Sequence, residues 1–165
     1  QKAMPELMKE DVYFVLLGSG DKTFQKFFEG VKKKFPKKVG VHFGFSEELA
    51  HLIEAGSDMF LMPSKYEPCG LNQMYSLKYG TIPIVRATGG LADTITEYKN
   101  GNGNGFVCEK YDAAELMKTM KRALKLFTNR EEWIKLIRIA MACDYSWEIS
   151  AKKYVDLYRS IMKKG

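Results

Sequence analysis

Asp58-Met59-Phe60-Leu61-Met62-Pro63-Ser64-Lys65-Tyr66-Glu67-Pro68-Cys69-Gly70-Leu71-Asn72-Gln73 is the stretch whose reading decides the fold. Asp58–Met62 is strand-like and closes at Pro63, which cannot donate to a sheet ladder. A helix is expected from about Leu71 to Tyr79, stopped by Gly80. Strand, loop and helix in that order form half of a βαβ unit. The same order repeats on both sides.

Upstream, Val12–Leu17 (VYFVLL) is apolar at every position, which suits a strand covered on both faces. Phe24, Phe27, Phe28, Val31 and Phe35 then form one stripe of an amphipathic helix. Val39–Phe43 reads as a second strand, and Ser46 caps a helix whose first turn holds Glu47 and Glu48. Downstream, Ile82–Val85 is a fourth strand and Gly105–Cys108 a fifth. Strands alternating with helices predict an α/β domain: a Rossmann-like, doubly wound parallel sheet over residues 1–165. Extra C-terminal helices follow. One runs from Asp112 to about Phe127, with Glu115 at the reciprocal capping position; another runs from Asn129 to about Cys143. The last spans Ser146–Met162, with Tyr154, Leu157, Tyr158 and Ile161 on one face. Asn100–Gly105 (NGNGNG) reads as a flexible loop.

Composition narrows the function classes. Hydrophobic residues make 45% and charged residues 28% of 165, which excludes a disordered or collagen-like chain. No window approaches the roughly 18 apolar residues of a membrane span, and no signal-peptide core precedes Asp11. Gln1 stands where an initiator Met would, so a fragment is expected. Three cysteines far apart, Cys69, Cys108 and Cys143, read as reduced thiols of a cytoplasmic protein. The net charge of +6 comes from lysine clusters on helix outer faces. They lack the interleaved aromatics of a nucleic-acid surface. No metal is expected, for there is no Asp-x-Asp pair or Cys/His spacing to hold one. His42 and His51 read as structural residues.

Chemistry is expected in the loops beyond the carboxyl ends of the strands. Gly18-Ser19-Gly20 lacks the third glycine of a dinucleotide fingerprint, since Thr23 stands there. Thr88-Gly89-Gly90 before a helix start reads as an anion nest. In the deciding stretch, Glu67 precedes a glycine that opens a helix. A carboxylate accepts hydrogen bonds from sugar hydroxyls, and the amides of Gly70, Leu71 and Asn72 are free donors at a helix start. Carboxylate and amides a few ångströms apart match a sugar diphosphate.

Three strings carry a resemblance. Pro63–Gln73, Lys78-Tyr79-Gly80-Thr81-Ile82-Pro83-Ile84-Val85 and Thr88-Gly89-Gly90-Leu91-Ala92-Asp93-Thr94 resemble the glycogen/starch synthase family. Tyr145-Ser146-Trp147 before the last helix is similar too, and the match runs from about Leu16 to Tyr158. Glu67 also matches the first Glu of the E-x7-E pattern of retaining glycosyltransferases. The second falls on Tyr75, a departure that fits the synthase branch.

The resemblance implies the C-terminal half of a GT-B fold, the domain that binds the nucleotide sugar. It implies transfer of glucose from ADP-glucose, or UDP-glucose in some members, to the non-reducing end of an α-1,4-glucan with retention, and no cofactor. Glu67 is then the catalytic residue, contacting glucose hydroxyls. Gly18, Phe45, Tyr66, Cys69, Gly70, Leu71, Asn72, Tyr75, Gly89 and Gly90 are the expected substrate-binding positions, with Phe45 where the family stacks an aromatic on the nucleobase. The family's Arg-x4-Lys diphosphate clamp, its first strand and its N-terminal acceptor domain would lie before Gln1, so the fragment is expected to be inactive alone. Two other readings stay open: another retaining GT-B transferase, and a non-catalytic Rossmann-like nucleotide or effector module suggested by Gly18-Ser19-Gly20.

Overall fold

The computed structural model describes residues 1–162. The elements run α1 (Met4–Leu7), β1 (Phe14–Gly18), α2 (Lys22–Lys34), β2 (Val39–Phe43), α3 (Glu47–Gly56), β3 (Met59–Met62), α4 (Asn72–Tyr79) and β4 (Ile82–Arg86). Then come α5 (Gly89–Thr94), β5 (Phe106–Cys108), α6 (Ala113–Phe127), α7 (Arg130–Ala142) and α8 (Trp147–Met162). Every strand pair is parallel, and helices connect the strands, as alternation predicts.

The strands form two sheets. β1 pairs with β2 from Phe14↔Val39 to Gly18↔Phe43. β4 is the middle of the other sheet, with Met59↔Ile82 to Met62↔Val85 on one side and Ile84↔Phe106 to Arg86↔Cys108 on the other. Paired on both edges and covered on both faces, β4 is buried from Ile82 to Val85. Leu77 of α4, Ala123 of α6 and Leu136 and Ala140 of α7 are fully buried around it. Trp133 packs its edge on Phe127 at 5.1 Å. Each large apolar side chain so buried contributes roughly 1.5–3 kcal/mol, which makes this sheet the mechanical base of the domain.

The expectation of a first strand covered on both faces is corrected. Tyr13 lies outside β1 and is 83% exposed, and Val15 is half exposed. β1 has one strand neighbour among the described residues, and α2 covers only one side of a two-stranded sheet. Phe27, Phe28, Val31 and Phe35 of the α2 stripe pack inward, while Phe24 does not. β3 is also apolar and only partly buried, because β4 is its sole strand partner among the described residues.

Local chemistry sets the helix starts. Ser46 Oγ accepts from Leu49 N, Asn129 Oδ1 from Glu132 N, and Asp112 Oδ1 from the amides of Ala114 and Glu115. Glu115 does not close the reciprocal box; its carboxylate takes the amides of Glu109 and Lys110 instead, tying the turn after β5 to α6. Asn100–Gly105 is not a free loop. Asn104 is buried, with Oδ1 accepting from Thr96 N and Nδ2 donating to Thr94 O. The helix α1 has no counterpart among the sequence expectations, yet it buries Met4 and Leu7, while Met8 just beyond it is buried too.

Glu54 on α3 is buried, and its Oε2 has no hydrogen-bond partner. Burial raises its carboxyl above the ordinary value, against a smaller opposite pull from His51. Stability is therefore full where the carboxyl is protonated and declines as pH rises through the elevated folded value. Glu54→Gln, uncharged at every pH, should melt near the wild type at about pH 4. By about pH 8 it should melt roughly 2–4 °C higher, the equivalent of about 1 kcal/mol in a domain of this size. Thermal melts of both proteins across that range check the sign.

Candidate functional site

Parallel strands place their carboxyl ends on one side of each sheet. At that end of the smaller sheet, Gly44 N donates to Gly18 O, and Phe45 beyond it is 92% exposed. At that end of the larger sheet, β3 and β4 deliver the loop Pro63–Leu71, Arg86 and the start of α5.

The loop is held by its carbonyls. Arg86, at the last position of β4, donates Nε to Ser64 O at 2.8 Å and Nη2 to Lys65 O, and its guanidinium lies over the Tyr111 ring. Gly90 N donates to Glu67 O at 3.1 Å. Gln73 Nε2, from the first turn of α4, donates to Cys69 O and Gly70 O at 3.2 and 3.0 Å. The amides of Gly70, Leu71 and Asn72 have no partner within the described residues. They stand at the N-terminus of α4, where the helix dipole adds about half a positive charge.

The carboxylate of Glu67 is partly exposed and accepts from Ser64 Oγ at 3.4 Å. It joins no ion pair among the described residues. Such a group can accept hydrogen bonds from the hydroxyls of a polyol while the amides next in sequence receive an anion. Tyr66, Cys69, Leu71 and Asn72 are exposed around it. Tyr75, where a second Glu would stand in the broader pattern, is half exposed with its ring 5.9 Å from that of His51. His51 Nδ1 lies 3.1 Å from Tyr79 Oη, and His42 is exposed on β2.

The glycine pair of α5, an expected anion nest, holds a close backbone contact. Gly90 spends its amide on Glu67 O and is buried, and a Cβ on either glycine would overlap backbone: Glu67 O from Gly89, the Cys69 peptide from Gly90. The pair lets two backbones touch. Gly89 is exposed in the left-handed region at φ +45°.

Three residues here escaped the sequence reading. Gln73, Ser76 and Leu77 form the buried stripe of α4, and a glutamine on such a stripe signals a buried polar task. Arg86 ends an otherwise apolar strand. Thr94 links the parts: Oγ1 donates to Gly90 O and accepts from Gln73, and its carbonyl accepts from Asn104 and from Tyr145 Oη at 2.6 Å. Burial raises the Tyr145 hydroxyl above its ordinary range, which keeps it a donor. Burial likewise raises the Cys108 thiol of β5. A hollow of about 460 Å³ lies elsewhere, lined by Glu6, Lys118, Lys121 and Lys125 on the α1–α6 side.

Comparison with known proteins fits this geometry. Residues 1–139 match the glycosyl transferases group 1. The chain belongs to that family. It is 50% identical over 160 residues to a glycogen synthase of Bacillus cereus, covering 96% of this chain and 34% of that one. It is 53% identical over 162 residues to a glycogen synthase of Desulforudis audaxviator, covering 96% and 32%. The chain thus spans about a third of the length of the curated relatives it matches. Among solved structures, the catalytic domain of starch synthase IV from Arabidopsis thaliana, bound to ADP and acarbose, aligns with a TM-score of 0.85 at 34% identity, over 96% of this chain and 34% of that one. A glycosyltransferase of Rickettsia africae, at 20% identity and TM-score 0.71, shares the fold, over 99% of this chain and 44% of that one. The resemblance to the glycogen/starch synthases and the Rossmann-like half of a GT-B fold both hold.

Gly90→Ala should displace the Cys69 peptide or the α5 start, at a cost of about 1–3 kcal/mol. The melting temperature and the amide resonances of Cys69–Asn72 report it. An unchanged melt with unmoved resonances would mean the backbones do not touch.

Proposed function

We propose that this chain is the donor-binding C-terminal domain of a glycogen or starch synthase. The full-length parent transfers glucose from ADP-glucose to the non-reducing end of an α-1,4-glucan with retention. One observation carries the reading: among the described residues, a carboxylate without an ion pair, Glu67, precedes by three residues a run of three unpartnered amides at a helix start, in a turn whose Cys69 and Gly70 carbonyls face Gln73. Glu67 accepts from glucose hydroxyls. The amides of Gly70, Leu71 and Asn72 receive the diphosphate and stabilise the charge that grows on it as the glycosidic bond breaks. Phe45, exposed beyond β2, offers its face to the base, and Tyr66 and Tyr75 border the loop. An ADP-bound starch synthase among the similar structures supports the donor class. A structure of HepE with UDP-glucose, at 16% identity, shares the fold. The three free thiols suit a cytoplasmic setting.

The domain reading extends upstream. Among the described residues β1 and β3 are apolar strands with one partner each, and their other edges could pair on both sides with a further parallel strand. The family's first strand, with its cationic clamp, belongs there. The face of Tyr154, Leu157, Tyr158 and Ile161 on α8 is 52–61% exposed, as a surface packed on the parent's other domain would be in isolation.

Titration of the 165-residue chain with ADP-glucose, followed by amide resonances, tests the donor reading. Without the clamp, a Kd on the order of millimolar is expected, about −4 kcal/mol, with movement at Gly18, Phe45 and Glu67–Asn72. No movement there at about ten times that concentration sinks the proposal. UDP-glucose in parallel reads base preference, and tight NAD or ATP binding unopposed by ADP-glucose would favour the effector-module reading. In the parent, Glu67→Gln should lower kcat/KM on the order of a hundredfold, from lost charge-assisted hydrogen bonds.

A further inference from the structure

We infer that Gln73 is a positioning residue: its buried carboxamide turns the Cys69–Gly70 peptides inward and so aims the amides that receive the diphosphate. The inference rests on the donor-site reading and adds a residue that has no exposed surface.

Gln73 cannot touch a ligand, because it is fully buried in the first turn of α4. Its Nε2 faces three oxygens: Cys69 O at 3.2 Å, Gly70 O at 3.0 Å and Thr94 Oγ1 at 3.2 Å. Three acceptors around one atom require the NH2 group there, which fixes the amide orientation. The price appears at the other end, where Oε1 is buried without a partner. An orphaned buried acceptor costs about 1–3 kcal/mol, so the donations on the Nε2 side must outweigh it.

Gly70 completes the arrangement. It holds φ +74°, and a Cβ there would stand 2.5 Å from Gln73 Oε1. The positive φ strains any L residue at position 70, and a Cβ there would push the Gln73 carboxamide aside. Thr94 is fixed in turn by Gly90 O, Asn104 and Tyr145, so the carboxamide is anchored to α5 and to the residues before α8. With both carbonyls drawn inward, the peptide planes of the turn present N–H groups outward. An apolar residue at 73 would leave Cys69 O without a partner among the described residues and Gly70 O with only the Cys69 thiol, and the turn would rotate to find water.

Two substitutions test this in the 165-residue chain. Gln73→Met matches the volume without donors. Gln73→Glu sets a carboxylate against carbonyl oxygens at about pH 8 but a single O–H donor once protonated near pH 5. The inference expects the Gly70, Leu71 and Asn72 amide resonances of Gln73→Met to leave their wild-type positions, while those of Val85 and Leu136 stay. It expects Gln73→Glu to resemble Gln73→Met at about pH 8 and to return toward the wild type near pH 5, which a volume-filling role would not produce. ADP-glucose affinity should fall about tenfold in Gln73→Met, one lost hydrogen bond's worth. Turn resonances that coincide with the wild type in Gln73→Met, or a Gln73→Glu spectrum without that pH response, overturn the inference. If Gln73→Met does not fold, the Gln73→Glu pair of spectra decides. These ligand-free spectra judge Gln73 even if wild-type resonances ignore ADP-glucose, which would count against the donor site alone.

Discussion

The contact between two backbones, Gly89-Gly90 against Glu67–Cys69, is the constraint on which the candidate site depends. It requires two residues without Cβ atoms at the start of α5 and a loop folded back far enough to meet them. From it follows the direction of the loop. Glu67 O is taken by Gly90 N, the carbonyls of Cys69 and Gly70 by Gln73, and those of Ser64 and Lys65 by Arg86. A peptide whose carbonyl points in must point its amide out, as Cys69–Gly70 and Gly70–Leu71 do; Glu67–Pro68 has no N–H to offer. A row of such peptides ending in a helix start gives a region of positive potential built from dipoles. Those dipoles need no reorganisation when an anion arrives, which is what makes them effective.

The fold was legible because its main signals are local. Strand and helix periods, the caps at Ser46, Asp112 and Asn129, and the stop at Gly80 depend on residues a few positions apart. The covering of β1 was misread because an all-apolar strand reports what its faces are suited to, not which neighbours it has. Asn100–Gly105 was misread because glycine and asparagine signal turns whether or not one asparagine is buried; Asn104 is held by Thr94 and Thr96 across the core edge. The helix at Met4–Leu7 is four residues long, too short for a periodic signal.

The site was legible by a different route. Glu67 and the glycine turn stand in one contiguous string, so their chemistry could be proposed from adjacency. Arg86 and Thr94 support that string from two other places in the fold, and no spacing rule relates them; Gln73 supports it from its own end, three and four residues beyond the carbonyls it holds. Gln73 left a trace as a polar member of an apolar stripe, and Arg86 as a charge at a strand's carboxyl end. Gly89 and Gly90 show the limit of motif reading: a pair that spells an anion nest can equally be the residues that let a neighbouring loop lie close.

The two sheets divide the work unequally. The β4 sheet is the better buried, and it carries every group that would meet charge: Glu67, the α4 amides and their supports. The β1–β2 sheet is half buried and carries Gly18 and the exposed Phe45. Recognition by dipoles falls off sharply with misorientation, so it needs the rigid base. Stacking on an aromatic face tolerates displacement and asks little of its support. Under the proposed donor reading, the density of packing beneath each end of the candidate site would follow the geometric tolerance of the interaction above it. The β1 and β3 edges, each with one partner, mark where that difference in support begins.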